Sequence, residues 1–487
     1  MAVSVSESTH QTSRYASVPY FPQRITEPLT PTFSRSISSQ VDPPGGYREE
    51  EILLYELTAR YVSSGFAAER RPRCIIRFGP EPKRRAGDYW VWDSDCKESD
   101  AKIGDADWGK DYELYRTNVR ETDLALMEAK LERALRQMHT DYLQLDTKPR
   151  KAVVVVPPLL PRPLLETFLG VLFNHYALTP SVVLFSTPAL SVVSSGLRSA
   201  LVVDIGWEET IVTAVGEFRQ VSQRRSTRAG KMLTAEMGKV VRSHSQHADL
   251  SFKLVEDILD RLGWCRPHAD TPPLQGTKSI PVASSGTSAR FDMRIQSLSE
   301  PVERVLFGNP KHADDDELPI HYLAYLVLLG LPVDFRAACT YSVVVTGEIS
   351  QLPGLRARLL NELQALIDLR GWDLVHNYGS AKPKPKAAAR SPSSDHQATA
   401  EASYLDPQAI LPPHQREHDY IKDPITQKAE RASTKRSPKP EPAVVRGVET
   451  LGAWAGASLA SYLRIRGVYE VSKEDFLKHG YPDNTLL

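Results

Sequence analysis

Leu201-Val202-Val203-Asp204-Ile205-Gly206-Trp207-Glu208-Glu209-Thr210-Ile211-Val212-Thr213-Ala214-Val215 is the stretch that decides how this chain is read. The Val-rich run ending in Asp204 has the composition of a buried strand, and the alternation from Thr210 to Val215 predicts its antiparallel partner across a tight turn. That is the framework of a phosphate clamp. In such a clamp an acid at the strand end works through Mg²⁺, while small turn residues and a hydroxyl let backbone N–H groups approach phosphate oxygens. Asp204, Gly206 and Thr210 fit the role, but Trp207 and Glu208 do not. The alternative for Asp204 is a structural acid that caps the turn.

Upstream, Ile52 to Ala67 repeats the plan of strand, terminal acid (Glu56), turn and second strand. Two ordinary hairpins would satisfy this pattern. Two related ones suggest an internally duplicated core that grips phosphate from two sides.

At 487 residues the chain has room for two large domains or one bilobed body with insertions. Lys plus Arg and Asp plus Glu both number 60, so no global field favours nucleic acid or an anionic membrane. No apolar run approaches the roughly 20 residues of a spanning helix, and the polar N-terminus lacks a secretory leader, which together predict a soluble intracellular protein. Cys74, Cys96, Cys265 and Cys339 are scattered without metal-ligand spacing, so reduced thiols are expected.

Residues 1–47 are rich in Ser, Thr, Pro and Gln and are expected to form a disordered arm. An irregular stretch from Pro80 to Gly109 holds Trp90, Trp92 and Trp108, which implies packing. Helical spacing follows from Thr122 to Met138, then a strand at Ala152–Val156, a helix from Pro163 to about His175, a strand at Val182–Phe185 and a short helix at Ala189–Ser195. Further helices are predicted at Gly230–Val241, Phe252–Leu262, Leu318–Leu329 and Leu355–Leu369, with a buried strand at Tyr341–Val345. This alternation predicts an α/β core. Residues 380–443 are rich in Pro, Ser and Lys and read as a low-complexity insertion.

Apolar helical sequence resumes with Ala453-Trp454-Ala455-Gly456-Ala457-Ser458-Leu459-Ala460-Ser461, followed by Val471-Ser472-Lys473-Glu474-Asp475-Phe476. This block resembles the C-terminal Trp-x-Gly-x-Ser helix and Ser-Lys-x-Glu-aromatic segment of the actin superfamily. Gly65-Phe66-Ala67, Thr187-Pro188-Ala189-Leu190, Leu201 to Gly206, Ala229-Gly230-Lys231-x-Leu233-Thr234, and Gly347 with Pro353-Gly354 occur in that family's order.

The resemblance implies an actin-like two-lobed α/β fold, built from duplicated ribonuclease-H-like domains around a central cleft. The first lobe would span 48–200, the second 201–379, and a segment 444–487 would return to the first. Position by position, the family's Asp and Gly-rich first turn correspond to Glu56 and Leu57-Thr58-Ala59-Arg60, and its phosphate-contacting Lys to Ser63. Arg60 offers a replacement cation from another direction. In the second hairpin Asp204, Gly206 and Thr210 match, while Trp207 and Glu208 replace an Asp and a Gly. Glu256 and Leu259 stand where actin presents basic residues to the nucleoside, Asp260 keeps its type, and Glu348 replaces a glycine beside Gly347.

The water-orienting Gln of the family corresponds to Ser195, in a helix that looks shortened before Arg198, and its assisting His to Ile211. Neither side chain can orient water for attack. The expectation is a non-hydrolysing protein with no catalytic residue, no resident metal and no required cofactor. Its vestigial nucleotide cleft would consist of Asp204, Gly206, Thr210, Gly230 and Gly347, holding ATP or ADP with Mg²⁺ weakly or not at all. A chaperone-type ATPase of the same superfamily would need phosphate glycines that are absent. The P-loop, GxSxG and HExxH signatures are also missing, and His175 and His321 read as packed histidines.

An actin fold without its enzyme serves as a shaped surface in an assembly. Trp108-Gly109-Lys110-Asp111-Tyr112-Glu113-Leu114-Tyr115, the Arg198–Trp207 segment and the Ser/Pro-rich arm look most like the pointed-end dynactin subunit of filamentous fungi. That resemblance implies actin-related filament subunits and other pointed-end proteins as partners, a cytoplasmic cytoskeletal location, and a part in dynein-driven transport and nuclear migration, without direct contact to nucleic acid or membrane. The region from Gly79 to Gly109 falls where actin makes pointed-end contacts. The alternative is a subunit of a nuclear chromatin-remodelling complex, for which Arg436-Ser437-Pro438-Lys439-Pro440 would supply an import signal.

Overall fold

The computed structural model describes residues 51–80, 103, 105, 107–175, 179–244, 250–268, 272, 274–284, 287–308, 314–372, 444–463 and 469–482. The 1–47 arm, Trp90, Trp92, Cys96 and the 380–443 insertion lie outside them.

The described strands, in chain order, are β1 (Leu53–Leu57), β2 (Tyr61–Phe66), β3 (Cys74–Arg77), β4 (Ala152–Val156), β5 (Ser181–Ser186), β6 (Ala200–Ile205), β7 (Thr210–Gly216), β8 (Arg219–Ser226), β9 (Thr277–Ser284), β10 (Thr287–Arg294), β11 (Val343–Thr346), β12 (Gly447–Val448) and β13 (Tyr469–Ser472). One sheet has the order β13-β5-β4-β1-β2-β3 and another β12-β11-β6-β7-β8, while β9 and β10 form a separate ribbon. Within the first sheet β1, β2 and β3 are antiparallel neighbours, and β4 and β5 continue parallel to β1. Within the second, β6, β7 and β8 are antiparallel neighbours, and β11 and β12 continue parallel to β6. The five strands of the second sheet repeat the topology of β1 to β5, as the duplicated hairpins predict, and β13 adds an antiparallel edge to the first.

Burial explains the sequence pattern. Along β6, Leu201, Val203 and Ile205 join one apolar cluster while Ala200 and Val202 join another on the opposite face. Leu53, Tyr55 and Leu57 of β1 likewise face away from Leu54. A strand covered on both faces needs an unbroken apolar run. The alternation predicted for β7 does not translate into one wet face: Thr210 to Val215 are all buried. The helix Ile320–Leu329 packs on β7, and the helix Thr187–Ser194 also touches it.

The motifs behind the resemblance meet in space. A Cβ on Gly456 would fall 2.0 Å from the Leu190 carbonyl oxygen, so only glycine lets the helix Ala453–Tyr462 press onto the backbone of Thr187–Ser194. Trp454 donates its indole N–H to the Glu69 carbonyl at 3.3 Å, and its ring lies over Gly65. The helix Thr187–Ser194 is eight residues long and ends before Gly196. The second sheet begins at Ala200, one residue before the expected lobe boundary. The C-terminal segment does not return wholly to the first sheet, because β12 pairs with β11 before β13 joins β5.

Candidate functional site

The turns after β1 and β6 face a cleft of about 610 Å³. Its lining takes Glu56 to Ala59 from the first hairpin, Asp204 and Gly206 to Glu209 from the second, and Val345 to Glu348 from the end of β11. β11 runs parallel to β6 with Thr346 opposite Asp204, which brings Gly347 and Glu348 out beside the Asp204 carboxylate. Gly347 has φ +98°, and a Cβ there would meet the Ile205 carbonyl oxygen at 2.4 Å. Backbone contact with β6 is therefore sufficient to require glycine at this position.

Trp207 is a buried hub. Its ring stands edge-on to Phe252 at 5.8 Å, and its indole N–H donates to Glu113 Oε1 at 2.8 Å. Glu113, 4% exposed, also receives Arg116 Nε at 2.8 Å and Lys231 Nζ at 2.9 Å. Glu208 accepts from the Thr117 hydroxyl at 2.7 Å and from the Thr117 backbone N–H. The segment from Trp108 to Thr117 thus ties down the second turn. It also holds the first, because the Leu114 N–H donates to the Ala59 carbonyl at 2.7 Å. Trp108 and Tyr112 pack against Phe252, which satisfies the packing expected of Trp108 and places the end of the 79–109 region in the second lobe's core.

The cleft is acidic. Six carboxylates line it (Glu56, Asp204, Glu208, Glu209, Glu348 and Glu449), against one guanidinium, Arg356, among the described residues. Arg356 is paired with Glu449 at 3.2 Å. Glu56 is pushed up to about 7, first by burial and then by Asp204 and Glu348. Asp204 is also pushed up to about 7, by burial and by Glu348. Asp204 makes no hydrogen bond to the turn among the described residues, so the turn-capping alternative is not what the structure displays. No group of three or more His, Cys, Asp or Glu residues among those described is close enough to hold a metal ion.

Of the five residues expected from sequence, Asp204, Gly206 and Gly347 line the cleft, while Thr210 and Gly230 do not. The Thr210 hydroxyl is buried and donates to the Arg228 carbonyl at 2.7 Å. Gly230 lies against the Trp207 ring, where a Cβ would come within 3.1 Å. Ser195 donates its hydroxyl to Ser191 O at 2.7 Å, away from the lining, whereas Ile211 contributes an apolar wall. His321 stacks on Phe307 at 5.8 Å and is pulled down to about 4, mainly by burial, as a packed histidine should be.

Arg60 does not reach the cleft as a free cation. It is 5% exposed, with Nη1 at 2.8 Å from Glu256 and its guanidinium carbon 4.2 Å from the Trp207 ring centroid. Sequence reasoning missed the convergence of Glu113 and Lys231 on the second turn. The one available signal was a charged residue, Glu113, amid the aromatic run from Trp108 to Tyr115.

A triphosphate asks for N–H donors on small turns and for unpaired cations. This cleft offers carboxylates, a filled turn and cations already matched to acids. A like-charge pair at about 4 Å costs about 4 kcal/mol at the effective dielectric of such a site. Residues 53–257, which include both hairpins, match the family model described as Actin.

Proposed function

We propose that this chain is a non-catalytic actin-related structural subunit that caps the pointed end of the dynactin actin-like filament and so supports dynein-driven transport in the cytoplasm. The observation that carries the non-catalytic part is the cleft, with six carboxylates facing one paired guanidinium and Trp207 filling the turn. The match of residues 53–257 to the Actin family model supports a role in subunit assembly. A head-to-tail filament continues until a terminal unit breaks the repeat, and a divergent member suits that position.

Two measurements test the proposal. Affinity purification of the tagged chain from its own cells should recover filament and shoulder subunits of dynactin; recovery of a remodelling ATPase from nuclei would replace this assignment with the nuclear one. Protein passed through gel filtration should carry no stoichiometric ATP and release no phosphate at an actin-like rate. Retained nucleotide would overturn the reading of the cleft.

A further inference from the structure

Arg60 stands on the turn between β1 and β2, yet the acids that compensate it among the described residues belong to the other lobe. Its Nη1 lies 2.8 Å from Glu256 on the helix Phe252–Leu262 and 3.9 Å from Glu348 beyond β11. Its guanidinium carbon lies 4.2 Å from the Trp207 centroid and 5.6 Å from that of Phe252. The Nε atom is buried without a hydrogen-bond partner among the described residues. A planar guanidinium can stack on an indole face while donating in its own plane to a carboxylate, which lysine cannot do.

We propose that Arg60, seated between Trp207 and Glu256, is a built-in latch that holds the two lobes together without nucleotide. This rests on the reading of the cleft given above. In a clamp closed by ligand, phosphate accepts from both hairpin turns and thereby bridges them. Here the bridge has the opposite sign and is part of the chain: a cation from the first turn enters an acid-and-aromatic seat on the second lobe. Separating the lobes pulls the buried guanidinium out of its seat beside Glu256 and Trp207, and breaking such a pair is strongly unfavourable.

The test compares full-length, nucleotide-free protein with R60A, R60K and E256Q by hydrogen exchange and small-angle X-ray scattering. R60A should accelerate amide exchange by about tenfold, equivalent to about 1.4 kcal/mol, in three places together: residues 57–61, the turn 206–209 and the helix 252–262. Its radius of gyration should rise. R60K should fall between R60A and the parent chain, and the parent chain's scattering should not respond to ATP with Mg²⁺. If R60A does not fold, E256Q takes its place and should accelerate exchange at residues 58–61 across the cleft. Acceleration confined to the mutated element, or scattering unchanged in every variant, overturns the latch. Stoichiometric ATP binding by the parent chain would instead overturn the cleft reading, and the nucleotide-free exchange pattern would still decide the latch.

Discussion

Replacing Glu56 by Gln should stabilise the protein at pH 8 and leave it almost unchanged near pH 4. A carboxyl that moves from 4.5 to about 7 on folding binds its proton more tightly in the folded state. Between those two values the folded chain holds more protons than the unfolded chain, so stability falls as pH rises through the window and the loss is complete above it. At about 1.4 kcal/mol per pH unit, the ionised Glu56 carries a penalty of about 3 kcal/mol, which an uncharged amide of the same shape removes. Asp204→Asn should behave alike, its carboxyl rising from 3.8 to about 7. The double variant should gain less than the sum, because repulsion between Asp204 and Glu56 is part of the Glu56 penalty and disappears with either change.

Urea unfolding at pH 5, 6, 7 and 8 measures this as a midpoint difference between variant and parent at constant slope. The difference is the informative quantity. His139 and His321, each lowered to about 4 chiefly by burial, push the parent curve the other way, since they stabilise above their ordinary 6.5 and lose that contribution as pH falls towards 4. A difference curve that is flat from pH 5 to 8 would mean that Glu56 ionises as an ordinary solvated carboxylate, and the reasoning would fail.

Trp207→Gly puts a small residue in the second turn but should lower stability by about 3–5 kcal/mol without conferring ATP affinity in a fluorescence titration, because the surrounding carboxylates remain. Gly456→Ala should destabilise by about 2–3 kcal/mol in thermal unfolding, since the new methyl meets the Leu190 carbonyl. Glu113→Gln leaves Arg116 and Lys231 short of one buried negative charge and should cost about 2 kcal/mol, less than a fully stranded pair because Asp107, Glu121 and Glu208 also serve these cations. Adding Lys231→Met to it should recover part of that loss in the same denaturation assay.

Contacts between neighbours in sequence were the legible ones. The run from Leu201 to Ile205 reads as a strand because successive residues feed two apolar clusters, and a one-dimensional pattern preserves that. The acid ending each hairpin strand was equally visible. The contact of Trp454 with Gly65 spans most of the chain, and a motif announces such a contact without saying what it touches. Less visible still was the segment from Trp108 to Thr117. Its bonds run back to Ala59 and forward to Glu208, distances over which neither periodicity nor charge spacing carries information. The direction of Arg60 was open for the same reason: a cation on a short turn can face ligand or protein, and its seat is made by Glu256 and Trp207, remote from it in sequence.

The placement of Trp207 bears on how the two departures in the second hairpin should be weighed. Trp207 and Glu208 look like two independent losses from a phosphate clamp, but the structure makes them one packing unit. The indole N–H requires an acceptor once it is buried, and Glu113 supplies it. Glu113 is itself too buried to stand alone and draws in Arg116 and Lys231, while Glu208 anchors the same segment through Thr117. Reverting either residue singly would therefore leave buried charge or an unfilled hole rather than a working clamp. A cleft built this way is held in place by the protein's own side chains, and loss of the small turn residues is coupled to gain of an internal support. That coupling is why Trp207 and Glu208 weigh more heavily against an ATP-driven role than two scattered substitutions would.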